Sequence, residues 1–202
     1  MIAIVDYGVG NLFSLKHSLE NVGADAVVTS DENVLRGAEK IILPGVGAFG
    51  DAAEKLRAAG LDKLLCEQAK AGKPILGICL GMQMLFDRSF EFGEHAGLRL
   101  IPGDVVDMTP QLPEGYKVPH IGWNALHFRR EHPLFRHINE GDCVYFVHSY
   151  YASRCEDAVI ATTEYGPELT AAVARDNVMG CQFHPEKSGP VGLNILRAFC
   201  EM

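Results

Sequence analysis

The feature that most restricts the fold is a regular alternation of short apolar runs with segments of helical periodicity, from residue 2 to residue 87. Leu12, Leu15 and Leu19 recur at the spacing of one helix face, with Asn11 as a potential N-cap and Gly23 as a stop. Strands separated by about one helix length require crossover connections, which place helices on both faces of a parallel sheet. The pattern predicts strands at residues 2–6, 26–29, 40–43 and 74–78, and helices at 12–22, after residue 30, at 51–71 with a break at Gly60, and at 80–87.

From residue 104 onward the apolar runs follow one another without long helices, which favours antiparallel pairing. We predict strands at residues 105–108, 123–128, 143–147, 159–163, 169–174 and 178–183, and a closing helix at 191–200. The expected fold class is therefore α/β: a mostly parallel, doubly wound sheet flanked by helices, with antiparallel β additions in the C-terminal half. A chain of 202 residues fits one domain, and no repeat or linker divides it, so we expect residues 1–202 to form a single domain.

The charge and the apolar pattern argue against two classes of partner. A formal net charge of −8 makes nucleic acid or an anionic membrane surface an improbable main partner. The longest uncharged apolar stretch, residues 74–86, is shorter than the ~20 residues of a membrane helix. The N-terminus has no basic segment of the kind that begins a signal peptide. We therefore expect a cytoplasmic protein.

The cysteine and histidine spacing does not indicate a metal. None of the six cysteines forms a C-x-x-C pair, so we expect free thiols, most of them small buried hydrophobes. Histidines 120, 127, 132 and 137 lie close in sequence without a ligand spacing, and we interpret them as a polar surface stretch. We expect no metal and no cofactor.

The strongest local signal is G-I-C-L-G, Gly77 to Gly81, between a predicted strand and a predicted helix. This is the nucleophile-elbow pattern with sulfur in place of oxygen, in which small flanking residues permit a strained turn. The turn exposes Cys79 at a helix N-terminus, where peptide dipoles favour the thiolate, and directs the N–H of Leu80 toward a developing oxyanion. The alternative is a core cysteine at a tight turn.

The second signal is H-P-E, His184 to Glu186, after an apolar run. Residues two apart in an extended segment project to one face, so Glu186 can orient His184. A single histidine is usually a structural or surface residue. Its combination with an elbow cysteine favours function, because a cysteine nucleophile needs a nearby base.

The third signal is P-G-V-G-A-F-G, Pro44 to Gly50, at the carboxyl end of the third predicted strand, the edge where open α/β sheets bind ligands. The glycines around Val46 allow a backbone N–H of Val46 or Gly47 to act as a second oxyanion donor. An ordinary glycine-rich turn remains an alternative, whereas a phosphate-binding P-loop lacks its G-K-S/T sequence.

These three motifs together resemble the class I (triad) glutamine amidotransferases over essentially the whole chain. Within that class, the Pro44–Gly50 loop, P-H-I-G-W-N at residues 119–124 and D-Y-G-V-G-N at residues 6–11 resemble the glutaminase subunits of imidazole glycerol phosphate synthases. The resemblance implies that Cys79 attacks the side-chain amide of glutamine, that His184 protonates the departing ammonia and then activates water, and that Glu186 orients His184. It also implies a glutamine-binding set: Gln83, Glu91, His148, Ser149 and Tyr150.

The resemblance further implies a partner, a (β/α)₈-barrel cyclase subunit that receives ammonia through a channel and makes imidazole glycerol phosphate and an aminoimidazole carboxamide ribotide in histidine biosynthesis. The positions that match the partner interface are Asn11, Pro119, Ile121, Trp123, Tyr145 and Lys187. Trp123 is the only tryptophan, and aromatic anchors are enriched at interfaces, although a half-buried core role is its alternative. The peptide at Val46 can also point its carbonyl at the oxyanion site, so we expect low glutaminase activity without the partner.

Two other functions fit the sequence less well. A glutaminase serving pyridoxal phosphate, anthranilate or purine synthesis shares the triad, and only residues 44–50 and the Trp123 segment argue against it. A non-catalytic binding protein on the same fold is opposed by the intact Cys79, His184 and Glu186.

Overall fold

The computed structural model describes all residues from 1 to 202. Its central element is one eight-stranded sheet in the order β2-β1-β3-β4-β14-β13-β12-β9. Strands β2, β1, β3, β4 and β14 pair in parallel, and β13, β12 and β9 extend the sheet in antiparallel fashion. The bounds are β1 Ile2–Val5, β2 Ala26–Thr29, β3 Lys40–Leu43, β4 Ile75–Ile78, β9 His127–Phe128, β12 Val159–Glu164, β13 Glu168–Arg175 and β14 Val178–Cys181.

Two smaller sheets adjoin the main one. A two-stranded antiparallel sheet pairs β8 with β10, and a four-stranded sheet has the order β11-β7-β5-β6. Their strands are β5 Arg88–Ser89, β6 His95–Ala96, β7 Asp104–Asp107, β8 His120–Ala125, β10 Cys143–His148 and β11 Tyr150–Ser153. The helices are α1 Leu12–Asn21, α2 Glu32–Gly37, α3 Phe49–Ala58, α4 Leu61–Lys70, α5 Leu80–Gln83 and α6 Gly189–Glu201.

The central strands are buried on both faces, as parallel strands with helices on each side must be. Along β1, Ala3 and Val5 join one apolar cluster with α3 and α4, whereas Ile2 and Ile4 join a second cluster with α1 and α6. This alternation follows from the two-residue period of a strand. The predicted α/β class, with a parallel sheet and antiparallel additions, is confirmed.

Several local predictions were wrong. The Asn11 side chain makes no capping hydrogen bond to α1. The helix predicted at residues 80–87 ends at Gln83, because segment 98–101 captures the carbonyls of Met84 and Leu85 and the chain tightens into turns there. The run at residues 178–183 was expected to pair only in antiparallel fashion, but β14 also runs parallel to β4. Strands β5, β6 and β11 were not predicted.

Candidate active site

The turn after β4 places Cys79 in a strained conformation, with φ 54° and ψ −112°. Both glycines of the motif are required by close contact. A Cβ on Gly81 would lie 1.8 Å from the carbonyl oxygen of Leu43, and one on Gly77 would lie 2.7 Å from backbone atoms of Gly81 and Met82. Separations below 3.0 Å are essentially never seen for real Cβ atoms. The backbone geometry of a nucleophile elbow is therefore present at the predicted position.

His184 and Glu186 lie beside this turn because β14 is the parallel neighbour of β4, with Cys181 in register with Ile78. The Nδ1 atom of His184 lies 2.8 Å from Oε1 of Glu186, and the two side chains are only 3% and 2% exposed. Oε2 of Glu186 is buried without a hydrogen-bond partner. The Glu186 carboxylate therefore makes its hydrogen bond to Nδ1 of His184. This leaves Nε2 of His184 for the sulfur of Cys79.

The protonation of His184 depends on these neighbours. Burial by itself lowers the pKa of His184, but hydrogen bonds and charge interactions with Cys79 and Glu186 outweigh it and raise this pKa to about 9. Ser188 holds the histidine backbone, since its hydroxyl donates to the carbonyl of His184 at 2.7 Å and accepts from the N–H of Tyr145 at 2.9 Å. The structure thus brings Cys79 and His184 into hydrogen-bonding contact.

The Pro44–Gly50 loop packs directly against the elbow. A Cβ on Gly45 would lie 2.8 Å from the backbone nitrogen of Gly81 and 2.9 Å from Cβ of Leu80. The Tyr7 hydroxyl donates to the carbonyl of Pro44 at 2.7 Å. Beyond this contact, Val46 is 40% exposed, and the N–H groups of Val46 and Gly47 donate to no group of the protein. Both are available to an oxyanion.

A cavity of about 350 Å³ opens over Cys79. This volume is in the range of small-molecule sites. It contains Cys79 and His184, all three predicted oxyanion residues, all five predicted glutamine-binding residues and two of the predicted interface residues. Its lining consists of Val46, Gly47, Cys79, Leu80, Gln83, Glu91, Pro119, Val147, His148, Ser149, Tyr150, His184 and Lys187.

The polar groups of this lining are held in place. Gln83 is buried, and its Nε2 donates to the carbonyl of Tyr150 at 3.0 Å. Glu91 accepts the N–H of Phe49 at 2.6 Å. Burial raises the pKa of Glu91, which the Phe49 hydrogen bond partly opposes. The Glu91 carboxylate can recognise the ammonium group of an amino acid.

The wall behind the cavity contains two neighbouring histidines, His120 and His148, whose rings are tilted by 59°. His148 Nδ1 donates to the carbonyl of Tyr150 at 2.8 Å, and its Nε2 lies 3.1 Å from Nδ1 of His120. Burial lowers the pKa of His148 to about 3, so His148 is neutral. His120 is fully buried and reaches Asn124 at 2.8 Å. The interpretation of His120 as a surface residue was wrong, because β10 supplies it with polar and aromatic partners.

Four of the predicted interface residues lie outside the cavity. Ile121 and Trp123, on β8, are 58% and 56% exposed. The Trp123 ring meets Tyr145 edge to face at 6.0 Å between centroids. Asn11 is half-buried, before α1. Pro119 and Lys187 line the cavity itself.

Two residues beside Cys79 were not predicted from the sequence. Gln182 is fully buried with its Nε2 3.8 Å from the sulfur, and its position two residues before His184 is the sequence signal that could have found it. Burial and the charge of Cys79 raise the pKa of Tyr7. Tyr7 lies within the D-Y-G-V-G-N segment, but the sequence assigned it no role.

Other features of the structure bear on the remaining expectations. All six cysteines are free. No group of three or more His, Cys, Asp or Glu side chains is arranged to hold a metal ion, and none of the helices is long and apolar enough to cross a membrane. A more open cleft of about 750 Å³ lies around Asp104, where Arg88 and Arg154 pair with this carboxylate. It contains no nucleophile.

The sequence was compared with known families and proteins. The family described as glutamine amidotransferase class-I matches residues 3–202. Imidazole glycerol phosphate synthase subunit HisH of Caldanaerobacter subterraneus subsp. tengcongensis is 51% identical over 100% of this chain and 98% of that protein. The subunit of the same name from Sulfurimonas denitrificans is 53% identical over 98% of this chain and 97% of that protein.

Solved structures share this fold. A crystal structure of a glutamine amidotransferase matches with a TM-score of 0.77 at 19% identity, covering 100% of this chain and 98% of that chain. The structure of PurLQS from Thermotoga maritima matches with a TM-score of 0.74 at 23% identity, covering 99% and 97%. At these identities the matches show the fold.

Proposed function

The chain belongs to the class I glutamine amidotransferases and, within them, to the HisH subunits of imidazole glycerol phosphate synthase, and from this premise we propose that it hydrolyses L-glutamine at Cys79. The observation that carries the proposal is the convergence of Cys79 and His184 at one cavity, with the buried Glu186 carboxylate 2.8 Å from the imidazole. The product ammonia serves a cyclase subunit in histidine biosynthesis.

The proposed reaction has two halves. The sulfur of Cys79 attacks the side-chain amide carbon, and the N–H groups of Leu80 and of Val46 or Gly47 receive the negative oxygen. His184 gives its proton to the departing nitrogen, so ammonia leaves and a γ-glutamyl thioester remains. His184 then removes a proton from water, which attacks the thioester and releases glutamate and the thiolate. Glu186 keeps the imidazole oriented throughout.

The substrate is proposed to lie with its amino-acid end toward Gln83, Glu91 and the segment His148–Tyr150. The Glu91 carboxylate suits the α-ammonium group, and the backbone N–H groups of the segment suit the α-carboxylate. Ser149 is half-buried at the cavity between the two tethered residues of this segment. These groups select an α-amino acid, and the distance to Cys79 then selects the length of its side chain.

The partner is proposed to be a (β/α)₈-barrel cyclase subunit that covers the exposed Ile121 and Trp123, with Asn11, Tyr145, Pro119 and Lys187 around them. The half-exposed Trp123 ring, which packs on Tyr145, supports this surface. A sealed path is useful because ammonium is not nucleophilic. We further propose a cytoplasmic location and a single domain over residues 1–202, which is supported by one sheet that joins strands from residue 2 to residue 181.

The test is ammonia release from glutamine by the chain with a cyclase subunit and its nucleotide ligand. Cys79→Ser should lower turnover by at least about 10³-fold, the scale at which nucleophile loss acts in other hydrolases. Cys143→Ser, at an exposed cysteine, is the matched control. Full turnover in Cys79→Ser would exclude the thioester mechanism.

A second measurement tests the partner surface. Trp123→Ala should weaken cyclase binding by about tenfold or more, as truncation of an aromatic anchor does, whereas Trp123→Phe should keep part of the affinity. Unfolding free energy should change little, because the ring is 56% exposed. Unchanged affinity in Trp123→Ala would place the interface elsewhere.

A further inference from the structure

Two hydrogen-bond donors, rather than one, face the sulfur of Cys79. The first is His184. The second is the side-chain amide of Gln182, whose Nε2 lies 3.8 Å from the sulfur. The carbonyl of Val147, at 4.0 Å, is an acceptor and suits only the protonated thiol. Gln182 is 0% exposed, so no water replaces its hydrogen bond.

The fold fixes the position of this amide. Strand β14 ends at Cys181, whose carbonyl accepts the N–H of Cys79 at 2.7 Å. The N–H of Gln182 donates to the carbonyl of Ala171 at 2.8 Å. The backbone beside the nucleophile is thereby tied to two neighbouring strands. The chain bends at residues 182–183, and both Gln182 and His184 direct their side chains to the sulfur.

The orientation of the amide is also determined, by counting donors and acceptors. The carbonyl of Tyr150 only accepts, so Gln83 must present its NH₂ group to it. The same NH₂ group lies 3.0 Å from Oε1 of Gln182 and donates to it. Gln182 must then turn its own NH₂ group toward Cys79. The backbone carbonyl of Tyr150 thus fixes the orientation of the Gln83 amide, which in turn fixes that of the Gln182 amide. As a result, an N–H donor of Gln182 faces the sulfur.

We propose that Gln182 is a second hydrogen-bond donor to the Cys79 thiolate and links the nucleophile to Gln83 of the substrate cavity. Donation to the charged form of a group favours that form. The role of Gln182 rests on the proposed hydrolysis at Cys79. The titratable groups around the sulfur are His184, with Glu186 behind it, and Tyr7. The other titratable groups of the cavity lining are Glu91, His148, Tyr150 and Lys187.

The test measures alkylation of Cys79 by iodoacetamide as a function of pH, with the modified peptide quantified by mass spectrometry. Gln182→Met keeps the side-chain length and removes the donor. We expect its alkylation midpoint to rise by about one pH unit, which is a tenfold loss of thiolate below the midpoint. In the complex with the cyclase, kcat should fall by about tenfold while KM changes less, since the defect lies in the nucleophile.

Two further variants separate this role from a structural one. Gln83→Met removes the link to Tyr150 but leaves Gln182 in place, so its alkylation midpoint should shift less while KM rises. Gln182→Glu has the shape of the natural side chain and can be used if Gln182→Met does not fold. It should raise the alkylation midpoint of Cys79 further, because a carboxylate then faces the sulfur. Gln68→Glu, on α4 away from the cavity, controls for the added charge.

A folded Gln182→Met or Gln182→Glu with the wild-type alkylation midpoint would overturn the proposal, as would equal midpoint shifts in Gln182→Met and Gln83→Met. Absence of glutamine turnover in the wild-type complex would instead contradict the proposed function. Alkylation of Cys79 remains measurable in that case, so the two failures are distinguishable.

Discussion

The two sides of the cavity over Cys79 are built in opposite ways. On one side, the nucleophile turn and the His184–Glu186 pair are buried, and a single added carbon at Gly81 would lie 1.8 Å from a backbone oxygen. On the other side, Val46 is 40% exposed and a Cβ on Gly47 would meet nothing within 4 Å. Folding alone therefore fixes the proposed nucleophile and its base, whereas the proposed second oxyanion donor lies on a surface that has room to change.

This difference suggests where control of the reaction resides. Because folding alone fixes the nucleophile, no partner is needed to position it. A partner can therefore change the turnover rate only through the remaining groups of the cavity. The Val46–Gly47 peptide is such a group, and it lies at the same cavity as Pro119 and Lys187, which belong to the proposed interface. We infer that the cyclase regulates the exposed side and leaves the buried side unchanged.

The buried side can be tested with Glu186→Gln. Removing the charge behind His184 should lower turnover by at least about 10²-fold, since the equivalent change in a serine triad costs about 10⁴-fold. The pKa of His184, raised to about 9 in the folded chain, should fall toward its ordinary value, as an NMR titration would show. Because a raised histidine pKa stabilises the fold below pH 6.5 and loses this contribution as pH rises through 9, the variant should also lose part of that pH dependence.

The fractional loss in Glu186→Gln should be the same with and without the cyclase. Glu164→Gln, at an exposed position, is the matched control. If the defect disappeared in the complex, the buried side would also be under the control of the partner, and the contrast between the two sides would be wrong.

The exposed side can be tested by comparing two reactions of the same cysteine. Adding the cyclase and its ligand should raise glutamine turnover by about 10²-fold, the size of one oxyanion donor. The rate at which iodoacetamide alkylates Cys79 should stay nearly constant, because alkylation forms no oxyanion. A parallel rise in both rates would show that the partner changes the nucleophile itself.

A pair of glycine substitutions sharpens the contrast at the level of stability. Gly81→Ala should lower the unfolding free energy by at least about 2 kcal/mol, because overpacking at a fixed backbone displaces Leu43. Gly47→Ala should cost only about 1 kcal/mol, the price of placing alanine at its φ of 92° without any steric contact. Urea denaturation of both variants measures the difference. Equal losses would mean that the loop is as constrained as the elbow.

The sequence predicted the two sides unequally. Cys79 and the His184–Glu186 pair could be identified because each motif is local, a turn in one case and a two-residue spacing in the other. The parallel strands could be predicted for the same reason. The expected extended geometry of H-P-E was wrong, because residues Pro185–Lys187 form a 3₁₀ turn that brings Glu186 back to His184. Gln83, Glu91 and the His148–Tyr150 segment came from family resemblance, since their approach to Cys79 depends on how the small sheets pack.

Other features were missed for physical reasons. Strands β5 and β6 are two residues long each, which is too short for any alternation to be visible. His120 is buried only because β10 lies beside β8 and supplies His148 and Phe146 as partners. A polar side chain is placed in the core by tertiary contacts, and a single sequence carries no sign of them.

The smallest expected effect concerns His120 and His148, the two histidines of the wall behind the cavity. It tests how far the buried side of the cavity extends. Burial holds the pKa of His148 at about 3, whereas its ordinary value is 6.5. The unfolded chain therefore binds a proton that the folded chain cannot bind, so stability is complete above pH 6.5 and declines as pH falls toward 3. The slope should reach about 1.4 kcal/mol per pH unit for this one group.

His148→Asn, which retains a donor for the Tyr150 carbonyl, should flatten the curve of unfolding free energy against pH, and His17→Asn, at an exposed position, should not. An unchanged slope in His148→Asn would mean that water reaches the two histidines. The buried side of the cavity would then extend only as far as Gln83.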